Sequence, residues 1–576
     1  MNNLAKLREL MQQEKVDTYI ITKFDPHQSE ITHDMYNGVK FISGFTGSNG
    51  TVLITQEKAY LYTDARYYIQ AKAEMKDGFE LQKQEPGFVD FSEYAVTNTT
   101  YGTIGFDGIT FNTEMVDSLI SEKCDTTTLR YDINLLNKIW DNRPVFKREP
   151  IWHYPEQYSG ESYESKLKKV RAELDQHGGD VYIISSLDDI AWLLNIRCMT
   201  PTISFNFYAY LAITKDKVIL FMDQQEQDVE LDVQIKPYKE IFTFAKERNA
   251  ATLVYAPSRT NYALSSIFTG KKITLPNDIT SVLKARKNEV EIENLRKANE
   301  KEAVAFTKLM KWLQTYSLDK DINEYDVEKR LIEIRQGLEG YLDVAFNPIC
   351  AYGASGALAH YRATPETARA VDRVGFLLVD AGSYFMEGTT DITRTFAVGE
   401  LTEEMKVSYT AVLKGHIALA TVKFIKGTYG YQLDAFARRP LWEIGLSYGH
   451  GTGHGIGHML NVHEGPLNIS PKPIEEPLEV GMLISNEPAV YFEGEYGVRL
   501  ENAILVQEYM TTDAGAFLEF ETVSFIPFDR NAIIVDLLTE KERNWLNEYH
   551  KTVYDKVSVH LCQAGKDWLK KITAEL

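Results

Sequence analysis

Cysteine is scarce. The four in 576 residues, Cys124, Cys198, Cys350 and Cys562, lie far apart and form no C-x-x-C pair. That spacing suggests neither a disulfide framework nor a thiolate zinc site, and the expectation is buried free thiols in a reducing cytoplasm. Positive charge is also short: 62 Lys and Arg stand against 82 Asp and Glu, a formal net charge of −20, and no basic run exceeds a few residues. Nucleic acid and anionic membrane are therefore excluded as partners. No apolar run approaches the roughly 18 residues that span a bilayer. The N-terminus, Met-Asn-Asn-Leu-Ala-Lys-Leu-Arg-Glu-Leu-Met, interrupts its apolar residues with charge, whereas a signal peptide needs about 7–15 apolar residues in succession. It reads as an amphipathic first helix, and the chain is expected to be soluble and cytoplasmic. Neither G-x-x-x-x-G-K-[ST] nor H-E-x-x-H occurs, so nucleotide binding and a zincin helix are unsupported.

Hydrophobic residues make up 44% and aromatics 12%, the composition of an ordinary globular protein. The length exceeds what one core of roughly 100–200 residues accommodates. The first half contains an internal repeat. LAKLRELMQQEKVDTYIITKFD (4–25) matches LKKVRAELDQHGGDVYIISSLD (167–188), and ITQEKAYLYTD (54–64) matches ITKDKVILFMD (213–223). Each copy reads as helix, turn and strand followed by a hairpin, an α/β unit. Pro144, Pro150 and Pro155 mark a linker, giving expected domains at 1–150 and 151–285. Neither copy holds a dense cluster of His, Asp or Glu, so both read as scaffold or substrate-gating domains. A third region, 286–576, opens on a helix near Asn288, where Asn288 and Glu291 have capping-box spacing, and closes on a helix after Thr539-x-x-Glu542. Between them short strands and helices mix, an α+β pattern.

The chemistry is concentrated in that third region. Only twelve histidines are present, yet His450, His454, His458 and His463 share one short stretch. In His450-Gly-Thr-Gly-His454-Gly-Ile-Gly-His458 the glycines would each cost about 1 kcal/mol in a helix, so an extended strand is expected, with the three histidines on one face and glycines permitting close backbone approach. Upstream, Asp380 and Asp391 flank a turn near Met386. A hairpin there would oppose the two carboxylates, which a bound cation would explain. Glu487 precedes Pro488 at the end of an apolar run. Glu501 and Arg499 share a face if Gly497–Val506 is one strand. Such groups are costly to bury unless paired or metal-bound.

In the contexts LLVDAG, TTDITRT, HGTGHGIG, NEPAVY and RLENAILV, the residues Asp380, Asp391, His454, Glu487 and Glu501 resemble the five metal ligands of the pita-bread metallopeptidases. The repeated units resemble creatinase-type N-terminal domains. FETVSFIPFD (520–529) and the closing helix resemble the C-terminal extension, here from about 515, of the long, three-domain form of aminopeptidase P. The resemblance covers essentially the whole chain. It implies hydrolysis of the N-terminal Xaa-Pro bond of peptides by water activated between two divalent metal ions. Asp391, Glu487 and Glu501 would contact both ions, Asp380 one and His454 the other. The oxygen-rich shell suits Mn²⁺, with Zn²⁺, Co²⁺ or Fe²⁺ as alternatives. By the same resemblance Glu487 is the proton shuttle, His360 and His463 steady the scissile carbonyl, His450 walls the proline pocket, and Arg499 lies beside the substrate. His458 matches no catalytic role. A homodimer through the catalytic domain, with Trp442 involved, is also implied. An Xaa-Pro dipeptidase of the same fold is the alternative activity; a non-catalytic binding module or a metal-free hydrolase would lack ligands, and none is missing.

Overall fold

The structure, a computed structural model, describes residues 2–85, 87–146, 150–198, 205–223, 232–248, 250–315 and 321–576. It divides into two compact units: Met1–Pro155 with Glu161–Ser281, and Glu156–Gly160 with Val282–Leu576. In the first, α1 (Asn3–Glu14) starts where the Asn2 side chain accepts the Ala5 N–H at 2.8 Å. It buries Leu4, Leu7 and Met11 and ends at Lys15 in the left-handed conformation, φ 57°. The repeat unit's α2 (Tyr163–Gln176) starts on Ser162 and buries Leu167, Val170 and Leu174.

Each helix feeds a six-stranded sheet. The first comprises β1 (Thr18–Thr22), β2 (Thr51–Thr55), β3 (Ala59–Thr63), β4 (Glu80–Lys83), β5 (Thr103–Gly105) and β6 (Thr128–Arg130), in the order β4-β3-β2-β1-β5-β6. The second comprises β7 (Val181–Ile184), β8 (Tyr210–Thr214), β9 (Val218–Phe221), β10 (Gln234–Lys236), β11 (Thr252–Tyr255) and β12 (Lys271–Thr274), in the order β10-β9-β8-β7-β11-β12. The topologies are the same. In both, the first strand runs antiparallel to the hairpin and parallel to the strand on its other side. The repeated sequence therefore encodes a repeated α/β fold.

Polar contacts join the two copies. The Tyr208 hydroxyl donates to Asp25 Oδ2 at 2.8 Å, and Asn261 Nδ2 donates to the Pro26 carbonyl at 2.9 Å. His27 is buried, with Nδ1 at 2.8 Å from the Ser185 carbonyl and Nε2 at 2.7 Å from the Tyr238 hydroxyl. A carbonyl only accepts, so Nδ1 carries the proton and Nε2 accepts from tyrosine. Burial pushes this imidazole down to about 4, against weaker upward pulls from Asp25 and Ser185. Unfolded, it takes a proton near pH 6.5, so between pH 6.5 and about 4 the unfolded chain binds more protons and acid costs stability, up to about 3 kcal/mol. We expect His27→Gln to be less stable at pH 7 but to lose less on going to pH 4.5; equal losses in urea unfolding at the two pH values would refute this.

The second unit is built around α3 (Glu289–Thr315). Asn288 Oδ1 accepts the Val290 and Glu291 N–H groups while Glu291 Oε2 accepts the Asn288 N–H, the reciprocal cap that the spacing predicts. Three strands, β13 (Ile349–Tyr352), β14 (Phe376–Asp380) and β15 (Thr393–Ala397), form an antiparallel sheet in that order. A larger sheet contains β16 (Phe424–Ile425), β17 (Gly453–Gly455), β18 (Glu464–Ile469), β19 (Leu483–Asn486), β22 (Asn502–Thr512) and β23 (Gly515–Thr522), in the order β16-β23-β22-β19-β17-β18. The strands β20 (Ala489–Phe492) and β21 (Tyr496–Arg499) pair separately. Helices α4 (Glu403–Ala420), α5 (Gly430–Trp442) and α6 (Glu540–Ser558) complete the layers, and Thr539 with Glu542 forms the expected capping box on α6. Phe376, Leu377 and Val379 of β14 pack in one core with Phe306 and Leu309 of α3, Val412 and Leu413 of α4, and Leu546 and Val553 of α6. The strands that carry the acidic residues are thus fixed by the largest core.

Cys198 and Cys350 are buried, but Cys124 and Cys562 are exposed, correcting the expectation of four buried thiols. Cys124 follows α-helical residues 113–122 on a surface turn and Cys562 caps the final helix, positions that face water regardless of side-chain polarity. Among the described residues no helix is long and apolar enough to cross a membrane.

Candidate metal centre

Asp380 closes β14. Its cross-strand partner is Thr393, not Asp391. The chain between them makes an excursion through Ser383–Phe385, which pairs with Tyr341–Val344, and Gly388–Thr389. This leaves Asp391 two residues short of β15, so the simple hairpin expected from the sequence is replaced by two sheets. The carboxylates meet all the same: Asp380, Asp391 and Glu501 each offer an oxygen, all within 4.8 Å of one another.

Glu501 reaches the cluster because its strand breaks. The run read as one strand is two: Tyr496–Arg499 pairs with Ala489–Phe492, while Asn502 onward pairs with Leu483–Asn486 and β23. At the junction the Glu501 N–H donates to the Thr393 carbonyl at 3.0 Å, and the Thr393 hydroxyl donates to Glu501 Oε2 at 2.7 Å. Arg499, buried, donates from Nη2 to Asp380 Oδ2. Glu487 follows β19, and its N–H donates to the Thr452 carbonyl at 2.8 Å.

The His-Gly segment is extended only at Gly453–Gly455, where neighbouring strands offer ladder partners. A Cβ at Gly453 or Gly455 would collide with the Ser485 or Glu464 carbonyl oxygen, so these glycines do permit the close approach. His454 Nδ1 lies 2.9 Å from the Gly455 carbonyl and must donate to it. Nε2 faces Asp391 Oδ2 at 3.3 Å and Glu487 Oε1 at 3.6 Å, so with Nδ1 committed to the backbone it is Nε2 that would exchange its proton for a metal ion. Beyond Gly455 the chain turns. His458 becomes buried, 3.9 Å from Glu291 Oε1 on α3, and the single histidine face expected from period two does not form. The exposed His463 places its ring 4.2 Å from that of His454, and groups with Asp391 and His454 within 4.8 Å. His360 sits on the loop whose Ala359 carbonyl accepts from Arg499 at 3.4 Å and whose Tyr361 hydroxyl donates to buried Glu324 at 2.7 Å.

The cluster holds four buried or half-buried carboxylates against Arg499 and His454. Burial raises Asp380, with Arg499 pulling it down and Asp391 raising it further. Burial also lifts Glu487 to about 7, opposed by His454 and Arg499, and drives Glu501 well above the carboxylate range, reinforced by Asp391 and Glu487. Burial would lower His454, but its hydrogen bond to Asp391 and the charge of Glu487 raise it to about 9. The group is thus short of positive charge. Among the described residues Asp380 Oδ1 is buried without a hydrogen-bond partner, a costly state for a carboxylate oxygen. Divalent cations would supply what is missing, and this hard donor set, four carboxylates and one imidazole, fits them.

Several site residues escaped the sequence reading. Tyr491, half-buried in the site, accepts from Arg499 Nη1 at 2.6 Å and donates to His450 Nε2 at 2.9 Å, linking Asp380 to His450 through Arg499. Its place in NEPAVY, on a strand directly after Glu487, was the available signal. Thr393, two residues beyond Asp391 and so on the same side of an extended chain, was legible in the same way. Ser485 accepts the His454 N–H at 3.0 Å and donates to Glu487 Oε1 at 3.3 Å. The buried pair Asp434–Arg438 holds the 448–452 segment: Arg438 donates to the Tyr448 and His450 carbonyls, and Thr452 donates to Asp434 at 2.6 Å.

Comparison with known proteins follows the same division of the chain. Residues 293–508 match metallopeptidase family M24, residues 3–132 and 142–291 each match the creatinase/prolidase N-terminal domain, and residues 516–576 match the C-terminal region of peptidase M24. A protein of Coprinopsis cinerea named "Probable Xaa-Pro aminopeptidase P" is 35% identical over 100% of this chain and 98% of its own. An X-prolyl aminopeptidase from Caenorhabditis elegans, described as a cytosolic enzyme with a di-nuclear active site, superposes with a TM-score of 0.94 at 30% identity, covering 100% of this chain and 99% of the other. An Xaa-Pro dipeptidase from Bacillus anthracis shares the fold, with a TM-score of 0.51 at 24% identity, but 99% of it accounts for only 64% of this chain. With two creatinase-type domains ahead of a pita-bread domain, the chain belongs to metallopeptidase family M24, among its full-length Xaa-Pro aminopeptidase P relatives.

Proposed function

We propose that the chain is a metal-dependent aminopeptidase that hydrolyses the bond between the N-terminal residue and a proline at the second position of a peptide. The observation that carries this reading is the convergence of Asp380, Asp391, His454, Glu487 and Glu501 around an unpartnered buried carboxylate oxygen. Two divalent ions would fit there, with Mn²⁺ best matched to the oxygen-rich donors, and would supply the Lewis acidity that makes water nucleophilic near neutral pH. Asp380, Asp391, His454, Glu487 and Glu501 would together hold them. Arg499 keeps Asp380 oriented by occupying Oδ2, leaving Oδ1 to ligate. Glu487 takes the proton of the attacking water and delivers it to the departing proline nitrogen. His360 and His463 donate hydrogen bonds to the scissile carbonyl as it gains negative charge. His450, with its Nε2 held by Tyr491, walls the proline pocket.

We assign residues 1–150 and 151–285 to the two N-terminal domains and 286–576 to the catalytic domain, and place the protein in the cytoplasm. A dipeptidase of the same fold is the competing activity, and the match along the full length to an aminopeptidase favours the longer substrate. An Xaa-Pro-Xaa tripeptide should be cleaved at least tenfold more efficiently, by kcat/KM, than the corresponding Xaa-Pro dipeptide; the reverse preference would reassign the enzyme as a prolidase. Phe436, Trp442 and Ile444 expose 46%, 53% and 46% of their surface along one short segment. We assign this segment, through Trp442, to a homodimer interface. Trp442→Glu should shift sedimentation from dimer to monomer, and an unchanged sedimentation coefficient would remove Trp442 from the interface.

A further inference from the structure

Arg394 is fully buried, yet among the described residues no carboxylate is a partner of its guanidinium. Nη1 donates to the carbonyls of Thr393, at 2.9 Å, and Glu501. The two N–H groups of Nη2 are shared among Asn502 Oδ1 at 2.7 Å, the Ile526 carbonyl at 2.8 Å and the Tyr549 hydroxyl at 2.9 Å, and Nε donates to the Pro527 carbonyl at 3.3 Å. The guanidinium carbon stands 4.3 Å from the centre of the Phe528 ring. One planar cation thus clamps three stretches of chain: the strand following Asp391, the junction carrying Glu501, and residues 526–549 of the C-terminal region. Tyr549 is held in turn, accepting the Ile526 N–H at 3.0 Å and donating to nearby carbonyls.

The position of the clamp is what matters. The Thr393 carbonyl receives both Arg394 Nη1 and the Glu501 N–H, and the Thr393 hydroxyl holds Glu501 Oε2 on the other side of the backbone. The Glu501 carbonyl points to Arg394 while its carboxylate points into the acidic cluster. Rotation of that residue is therefore opposed from both ends. A lysine cannot replace the clamp, because one ammonium with three N–H donors cannot span acceptors on all three stretches in a plane.

We propose that Arg394 is a positioning residue for the metal centre, through which the C-terminal region 526–549 sets the placement of Glu501 and Asp391. The inference rests on the reading of those two residues as metal ligands. The test measures Mn²⁺ stoichiometry and affinity by calorimetry on metal-stripped full-length protein, alongside thermal stability and steady-state kinetics. Arg394→Lys should bind at least one of two Mn²⁺ ions tenfold or more weakly. At fixed Mn²⁺ its kcat should fall in proportion with KM within threefold, and raising Mn²⁺ should restore kcat. Tyr549→Phe, which removes one acceptor at the far end of the clamp, should weaken the same ion about threefold or more, and decides the matter if Arg394→Lys does not fold. Folded variants that lose only melting temperature while binding two Mn²⁺ ions with wild-type affinity would overturn the inference. Wild-type protein binding fewer than two ions would instead overturn the ligand assignment beneath it.

Discussion

Asp391→Ala, purified and supplied with excess Mn²⁺, is expected to hydrolyse an Xaa-Pro-Xaa peptide at less than about a thousandth of the wild-type rate. The size of the effect follows from where this side chain stands. Its oxygens belong both to the group with Asp380 and Glu501 and to the group with His454 and His463, so its removal opens both halves of the cluster at once. The surviving carboxylates are driven upward by burial, which favours their protonated forms once the cations leave. Stripping the wild-type protein with a chelator should produce the same loss, reversed by adding Mn²⁺. Metal content and turnover, measured together, check both statements. More than a tenth of the activity remaining in Asp391→Ala, or in fully stripped protein, would sink the dinuclear mechanism.

The second large effect separates histidines that act from one that packs. His463→Ala and His360→Ala should each lower kcat by about 10²–10³-fold with two metal ions still bound, the cost of deleting one donor to a developing oxyanion. His458→Ala should behave oppositely. Its ring is buried beside α3, 3.9 Å from Glu291, so its loss leaves a cavity that lowers the melting temperature while kcat of the folded protein stays within about threefold. A His458 variant as inactive as the His463 variant, with normal stability, would transfer His458 to the reacting centre.

Much of this was legible in the chain. The helix–strand–hairpin repeat declared itself because both periodicities, 3.6 and 2, are local properties of sequence, and the two sheets reproduce the pattern strand for strand. The acidic residues stood out because each ends or interrupts an apolar run, where a buried charge needs a partner. What escaped were decisions made by distant partners. Asp380 pairs with Thr393 because the intervening segment finds its own partner at 341–344. The strand breaks at Leu500 because 489–492 claims the residues before it and 483–486 those after it. Local alternation carries no record of either competition. His458 was separated from its neighbours for the same reason: strand pairing ends at Gly455, so period two no longer applies beyond it.

The clamp at Arg394 also bears on how the molecule is made. The five candidate ligands are all synthesised by residue 501, but the acceptors that hold the last of them in place lie at 526, 527 and 549. On the ribosome the acidic residues therefore emerge before the backbone that orients them, and synthesis must pass residue 549 before the clamp can close. A chain truncated ahead of Ile526 would keep every ligand yet leave a buried guanidinium without those acceptors. Such a fragment, tethered or released, should bind Mn²⁺ less tightly than the 576-residue chain. Equal affinity would show that the centre matures without its C-terminal brace.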